Sequence, residues 1–408
     1  MEFKHTKLDN GLDVVGEVNP DAASMAAGFF VRTGSRDETP EVAGVSHFLE
    51  HMVFKGTERR NGLDVNREFD EMGANYNAAT SYENTFFYGA VLPEFQDRVL
   101  DLLSDILRPS LRQEDFDMEK NVIQEEIALY QDQPKFRVWD RLMTEFFGDH
   151  PLGNEILGSV ESIGALRREQ MLEYFRRRYA PGNVTLVGVG NFDFDRFVSQ
   201  AAETCGHWKP VDTERDTSPA PGRTGRKVLT DAKLVRQQIA FMSAAPSCQD
   251  DERFAAALLA NIVGDATGSR LYYALVDPAI ADDASMHYDA MDHAGGFVTF
   301  VSTEPEQAGE AARIARDEFG KFRDEGPTEP ELEAAQHKEA ARTTLQGELP
   351  MGRLGAVGSD WVYRGEYIPL AEQIERIFAV TREDIADLAC RYDLTATTML
   401  TLGPLEEL

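Results

Sequence analysis

Short apolar runs alternate with amphipathic stretches along the first half of the chain. Residues 26–33 form an apolar run bounded by turn residues, which predicts a buried strand, and residues 43–54 carry apolar side chains at helical spacing. Further strands are predicted within 76–92 and at 184–189, and further helices at 94–108, 114–131 and 167–179. Because the strands come in hairpin-like pairs before runs of helix, the pattern predicts an α+β fold, with a mostly antiparallel sheet and helices packed on one face.

The second half of the chain echoes the first. A charged amphipathic helix followed by an apolar strand occurs in both halves, and three identities recur at one offset of 213 residues: Arg178 and Arg391, Tyr179 and Tyr392, Gly190 and Gly403. A shared offset of this kind indicates a duplicated unit. The sequence therefore predicts two similar α/β domains.

Residues 209–226 separate the two halves. This stretch contains Pro210, Pro219 and Pro221 together with several Thr and Ser residues, which is the composition of a linker. The predicted organisation is an N-terminal domain at 1–208, a linker at 209–226 and a C-terminal domain at 227–408. Each domain is close to the usual domain size.

The charge of the chain limits its partners. It has 408 residues, of which 42% are hydrophobic and 27% charged, as in globular proteins, and its formal net charge is −30. Such a charge repels nucleic acid and anionic membranes, so neither is expected as a partner. Two explanations of the charge stay open: solubility, for example in a salty cytoplasm, and an acidic chamber that favours basic peptides.

The apolar pattern and the cysteines predict where the protein acts. The first residues lack the apolar segment of a secretory signal, and no apolar run reaches the length of about 20 residues that a membrane helix needs. Cys205, Cys248 and Cys390 lie far apart and fit no metal-binding spacing, which favours a reducing compartment. The expected location is the cytoplasm.

The motif His47-Phe48-Leu49-Glu50-His51 lies in the predicted helix at 43–54. On a helix, positions i and i+4 share a face, with Cβ atoms about 5–6 Å apart. Two imidazoles placed in this way bind one Zn²⁺, at about 2.0–2.1 Å per bond. Glu50 falls on nearly the same face and is predicted to be the general base that deprotonates the attacking water, as in inverted zinc-protease motifs.

A catalytic zinc site needs a third protein ligand, and the helix at 114–131 supplies a candidate. Its predicted buried face consists of Val122, Ile123 and Ile127. Glu126 borders this face, whereas Glu125 points about 100° away. Glu119 lies seven residues before Glu126 and therefore on the same side of the helix. Glu126 is the predicted third ligand, and Glu119 is predicted to orient one of the histidines.

With these motifs in place, the chain resembles the zinc peptidases that include pitrilysin, insulysin and the mitochondrial processing peptidase, and in particular the short bacterial members. The resemblance covers nearly the whole chain. It includes the metal motif, the spacing of Glu119 and Glu126, and three further segments: Gly73-Ala74 followed by residues 77–85, His150-Pro151-Leu152-Gly153, and Ile156-Leu157-Gly158.

The resemblance implies a zinc endopeptidase with one Zn²⁺ per chain and a clamshell architecture, of which this chain forms half. Extended peptides, with basic ones open as a preference, would be hydrolysed inside the enclosed chamber. The segment Asn77, Ala78, Ala79 and Thr80 would be an edge strand that pairs with the substrate main chain. At the offset of 213, the positions of His47, Glu50 and His51 correspond to Ala260, Val263 and Gly264, so the second copy is expected to bind no metal.

One departure from the family pattern concerns an Arg and a Tyr, seven residues apart, that many members carry in the second half. The corresponding positions here hold Val276 and Asp283. Either another group such as Tyr288 replaces the pair, or another chain supplies it. A dimer is therefore expected, with a related Arg/Tyr-bearing subunit favoured over a second copy. Two other functions stay open: a non-catalytic peptide-binding or assembly subunit, and a zinc hydrolase of non-peptide substrates.

Overall fold

A computed structural model describes all residues, 1–408, as eleven strands and fourteen α-helices. The strands are β1 Glu2–Lys7, β2 Asp13–Val18, β3 Met25–Val31, β4 Asn75–Thr80, β5 Thr85–Val91, β6 Val184–Gly190, β7 Gly225–Thr230, β8 Gln237–Ala244, β9 Asp283–Met291, β10 Ala294–Thr303 and β11 Thr398–Gly403. The helices are α1 Val45–Val53, α2 Gly62–Glu71, α3 Gln96–Ile106, α4 Gln113–Gln131, α5 Pro134–Phe147, α6 Val160–Ala165, α7 Arg168–Arg178, α8 Phe194–Cys205, α9 Arg253–Gly264, α10 Ala308–Glu325, α11 Glu329–Gly347, α12 Pro350–Arg364, α13 Leu370–Ala379 and α14 Arg382–Arg391.

The strands form two sheets with the same topology. The first has the order β1-β2-β6-β3-β5-β4 and the second the order β7-β11-β8-β10-β9. In each sheet one pair is parallel, β2 with β6 and β7 with β11, and the remaining pairs are antiparallel. The strand β8 also lies at the offset of 213 from β3, to within one residue. The predicted α+β fold with two similar, mostly antiparallel domains is confirmed, with β1 as an addition to the first copy.

Helices cover both faces of the first sheet at its centre, which adds to the prediction of helices on one face. Every residue of β3 and of β6 is buried, as expected for strands enclosed on both sides. The helices α3 and α8 contact one another and pack on this sheet. On the other face, Phe30 and Val187 join a cluster with Leu354 and Val357 of α12.

The chain divides into two compact units, each built from three segments. Unit 1 comprises Met1–Ala128, Asn154–Asp216 and Leu345–Ile368, and unit 2 comprises Leu129–Gly153, Thr217–Thr344 and Pro369–Leu408. The corresponding helices α5 and α12 are thus exchanged: α5 packs on β8 and β11, and α12 on β3 and β6. The units that pack together are therefore discontinuous in sequence. The contiguous domains 1–208 and 227–408 describe the two duplicated copies, and their bounds stay a prediction.

The predicted linker at 209–226 is irregular up to β7, which begins at Gly225. Its first part is anchored to unit 1. Arg215 is almost fully buried and pairs with Asp37 at 2.8 Å, and the Arg36 guanidinium donates to the carbonyl of Asp216 at 2.7 Å. None of the helices is both long and apolar enough to span a membrane.

Candidate metal centre

The helix α1 begins at a left-handed glycine whose neighbours hold it in place. Gly44 has φ of +87°, and a Cβ there would lie 2.5 Å from the carbonyl oxygen of Leu157. The buried carboxylate of Glu38 accepts hydrogen bonds from the backbone N–H groups of Gly44 at 2.6 Å and Ser46 at 2.7 Å. These bonds satisfy donors at the first turn, where a helix has no internal acceptors, and fix the direction of α1.

The apolar side chains of α1 bury one side of the helix and leave the motif on the other. Val45, Phe48, Leu49, Met52 and Val53 are at most 1% exposed. The imidazoles of His47 and His51 project together, with ring centroids 4.7 Å apart. This arrangement follows from the i, i+4 spacing read from the sequence.

The helix α4 brings Glu119 and Glu126 to the two histidines. Glu119 is 3% exposed, and Ile123 and Ile127 are buried as predicted. Val122 was predicted on the buried face but is 46% exposed, so this part of the prediction is wrong. The buried arc of α4 is centred on Ile123, and Val122 lies about 100° from it around the helix.

His47, His51 and Glu126 form a group whose ligand atoms all lie within 4.8 Å of one another. The carboxylate of Glu126 lies 3.8 Å from Nε2 of His47 and 3.4 Å from Nε2 of His51. Tetrahedral zinc with bonds of about 2.0–2.1 Å places its ligand atoms about 3.3–3.5 Å apart. Two imidazole nitrogens and one carboxylate, with its Oε1 3.8 Å from His47 and its Oε2 3.4 Å from His51, supply the three protein ligands that a catalytic zinc ion needs.

The pKa values of the site residues are shifted in different directions, and the shift of His47 favours metal binding. Burial, with a smaller effect of the neighbouring His51, lowers the pKa of His47 to about 3, so its imidazole is neutral and holds a lone pair for a metal. Burial raises the pKa of Glu126 and of Glu50. The pKa of His51 is raised, because the carboxylates of Glu119, Glu126 and Glu50 outweigh the opposing effect of its burial.

Glu119 makes a hydrogen bond with His51, the contact that its predicted orienting role requires, and is itself held by a lysine that the sequence did not single out. Its Oε1 lies 2.9 Å from Nδ1 of His51, which leaves Nε2 facing Glu126. Its Oε2 lies 2.5 Å from Nζ of Lys55. Burial alone would raise the pKa of Glu119, but the bonds from His51 and Lys55 outweigh it and lower the pKa. The carboxylate therefore stays ionised and fixes the tautomer of His51.

Replacing Lys55 by Met is expected to weaken zinc binding about 10-fold, because loss of an outer partner of a ligating histidine typically costs about 10–100-fold. Titration with zinc against a chromogenic chelator measures the change. Lys55→Arg keeps a cation beside Glu119 and is expected to recover most of the affinity. Lys7→Met, which removes a lysine paired with Asp13 in β1 and β2, serves as the control. Equal zinc affinity in Lys55→Met and the control would refute the role of Lys55.

Glu50 faces the same space without belonging to the ligand group. Its Oε2 accepts a hydrogen bond of 2.6 Å from the Thr80 hydroxyl. Thr80 ends β4, which pairs only with β5 and is the edge strand of the first sheet. The predicted edge position of Asn77–Thr80 is thus confirmed, and Thr80 has an additional contact, to the predicted base, that the sequence did not reveal.

The second copy has no such group. Ala260, Val263 and Gly264 are buried in α9, the counterpart of α1. Val276 packs against the hydrophobic core of unit 2, and Asp283 pairs with Lys135 at 2.8 Å. Tyr288, considered above as a replacement for the missing tyrosine, donates its hydroxyl to the carbonyl of Pro246 at 2.9 Å.

Comparison with known proteins decides the family. Residues 13–160 match the family described as Insulinase (Peptidase family M16), and residues 165–339 match Peptidase M16 inactive domain. An uncharacterized zinc protease of Rickettsia felis is 30% identical over 404 residues, covering 98% of each chain. The chain belongs to peptidase family M16. The predicted family is confirmed, and the description of the second match agrees with a second copy that lacks metal residues.

Further comparisons agree with this M16 assignment. An uncharacterized zinc protease of Streptomyces coelicolor is 29% identical over 419 residues, covering 99% of this chain and 90% of the relative. The crystal structure of a protease from Helicobacter pylori has a TM-score of 0.90 at 18% identity and covers 99% of each chain, so it shares the fold. The names of the sequence relatives support a zinc peptidase.

Proposed function

We propose that this M16 protein is a zinc-dependent endopeptidase that hydrolyses unfolded or extended peptides, with one zinc per chain bound by His47, His51 and Glu126. The observation that carries the proposal is the convergence of these three ligand groups within 4.8 Å, beside a carboxylate, Glu50, that stands outside the group. A non-catalytic subunit would not require three metal ligands together with a general base.

The metal, Glu50 and Thr80 have separate roles in the proposed reaction. Zinc, when bound, supplies Lewis-acid polarisation of the scissile carbonyl. Glu50 takes the proton from the attacking water and passes it to the leaving amine. Its burial raises its pKa from the ordinary value towards the operating pH, which suits a group that both accepts and donates a proton. The Thr80 hydroxyl holds the Glu50 carboxylate in position by its 2.6 Å hydrogen bond.

The edge strand β4 is the proposed binding surface for substrate. Asn77, Ala78, Ala79 and Thr80 lie on the side of the sheet that has no further strand, which is where an extended peptide can add as the next strand. Main-chain pairing of this kind selects for extended conformation rather than for sequence. We place the reaction in the cytoplasm, inside a chamber of which this chain supplies half.

The missing Arg/Tyr pair favours a dimer with a related subunit that carries it, over a dimer of two copies. Val276 packs against the hydrophobic core, and Asp283 forms an ion pair. The Tyr288 hydroxyl donates a hydrogen bond to a backbone carbonyl. These three side chains are therefore not available to bind the substrate carbonyl. A second chain that supplies the pair would complete the site.

Activity of the purified chain, alone and with a co-expressed Arg/Tyr-bearing relative, tests the proposal. We expect the chain alone to hold zinc, and the addition of the relative to raise cleavage of a quenched fluorescent peptide about 10²-fold, the typical effect of one carbonyl-binding donor. Full activity of a homodimer, unchanged by the relative, would show that the chain needs no such subunit. A zinc-loaded complex that cleaves no peptide would contradict the peptidase function.

A further inference from the structure

The turn that follows the edge strand β4 is closely packed on one side, with Tyr82 and Glu83 buried and Ser81 exposed. Residues 81–84 connect β4 to β5, and Arg36 N–H donates to the carbonyl of Tyr82 at 2.8 Å. The backbone of Gly34 approaches this turn so closely that a Cβ there would lie 2.2 Å from the carbonyl oxygen of Ser81. Close packing of this kind restrains the turn to one conformation. The turn in that conformation fixes the point at which β4 ends.

The side chain of Glu83 is the centre of this packing. It is 2% exposed and accepts a hydrogen bond of 2.6 Å from the Arg36 guanidinium. Its other oxygen accepts a hydrogen bond of 3.0 Å from the Tyr363 hydroxyl. The same hydroxyl accepts a hydrogen bond of 2.6 Å from the Asn84 side chain. Tyr363 therefore bridges two consecutive residues of the turn.

Tyr363 reaches the turn from α12, a helix that follows β4 by more than 270 residues in sequence but packs in the same unit. Few residues separate the Tyr363 hydroxyl from the proposed site. The turn begins immediately after Thr80, and Thr80 holds the Glu50 carboxylate. A shift of the turn would move both the end of the edge strand and the hydroxyl that orients the base.

We propose that Tyr363 is a positioning residue of the peptidase site, which holds the β4–β5 turn through Glu83 and Asn84 and thereby aligns the edge strand for the peptide main chain. The inference rests on the proposed function, since it assigns Tyr363 to the strand that receives the substrate. Displacing a binding element by about 1 Å typically costs up to about 10²-fold in rate, although the displaced element makes no bond in the reaction.

The same helix region offers a matched control. Tyr367 donates its hydroxyl to a carboxylate of Glu17 at 2.7 Å, and Glu17 lies in β2, which the order β2-β6-β3-β5-β4 separates from the edge strand. Tyr363→Phe and Tyr367→Phe each delete one hydroxyl that donates to a buried glutamate. The two substitutions are therefore chemically alike. They differ in the part of the sheet that loses a hydrogen bond, which is the β4–β5 turn in Tyr363→Phe and β2 in Tyr367→Phe.

Amide hydrogen exchange of the full-length, zinc-loaded chain tests the positioning role independently of any activity. We expect exchange of residues 78–84 to speed up at least several-fold in Tyr363→Phe and to stay unchanged in Tyr367→Phe, since local opening reports the loss of local bonds. Equal protection of this segment in both variants would overturn the proposal, whether or not the chain is a peptidase.

Kinetics separate positioning from general stability. For a quenched peptide, we expect Tyr363→Phe to lower kcat/KM about tenfold, mainly through a higher KM, at unchanged zinc content, with Tyr367→Phe within twofold of wild type. Asn84→Ala, which removes the second bond to Tyr363, is expected to change KM in the same direction. Equal losses in the two tyrosine variants would show a structural role only. Failure of the proposed function is recognised separately, as a zinc-loaded wild-type complex that cleaves no peptide.

Discussion

Replacing Glu50 by Gln is expected to abolish nearly all turnover while zinc stays bound. Gln has the same shape, and its amide oxygen still accepts the 2.6 Å hydrogen bond that Thr80 donates to Oε2 of Glu50. It cannot take a proton from water, and loss of a general base typically costs about 10²–10⁴-fold in rate. Zinc content is expected to be unchanged, because Glu50 is not among the three groups that converge within 4.8 Å.

The measurement is kcat/KM for a quenched peptide, together with zinc determined by atomic emission on the same sample. Glu125→Gln is the matched control, since Glu125 is exposed on α4 next to the proposed ligand Glu126 and carries the same charge change. Activity of Glu50→Gln close to that of this control would show that the base lies elsewhere.

The His51→Ala variant is expected to lose its zinc. His51 supplies one of the three ligand atoms, and its Nε2 lies 3.4 Å from the carboxylate of Glu126. Two remaining protein ligands leave the ion with half of a tetrahedral shell from the protein. The fall in zinc affinity is expected to exceed the roughly 10–100-fold that loss of an outer partner costs, and hydrolysis is expected to fall with zinc content.

Metal stoichiometry after dialysis against a weak chelator measures this effect, with one zinc per chain expected for the wild type. His207→Ala, which removes an exposed histidine from the end of the α8 region, is the control and is expected to retain its zinc. Full zinc occupancy in His51→Ala would rule out the ligand set. Added zinc at high concentration is expected to restore part of the metal binding but little of the hydrolysis.

The sequence by itself determined the parts of the site that depend on local spacing. His47, Glu50 and His51 share one side of α1 because positions i, i+3 and i+4 do so in any helix, and the apolar residues between them show which side is buried. The seven-residue spacing of Glu119 and Glu126 likewise placed both on one side of α4. The duplicated topology was readable for a similar reason, since alternating apolar runs recur at a constant offset.

Only the tertiary structure decided which remote residues support the site. The pairing of Lys55 with Glu119 and of Thr80 with Glu50 joins elements whose relative placement no local period specifies. The exposure of Val122 also depends on what α4 packs against, because a helical pattern gives directions around an axis but not the neighbour that covers them.

The exchange of α5 and α12 between the packing units is the clearest example. Both helices are amphipathic, and either sheet offers apolar strands to cover, so the pattern of side chains alone favours neither partner. Packing places α12 on β3 and β6 and brings Tyr363 to the turn after β4. The sequence determines which faces must be buried, whereas the choice between sheets follows from chain connectivity and the fit of the assembled cores.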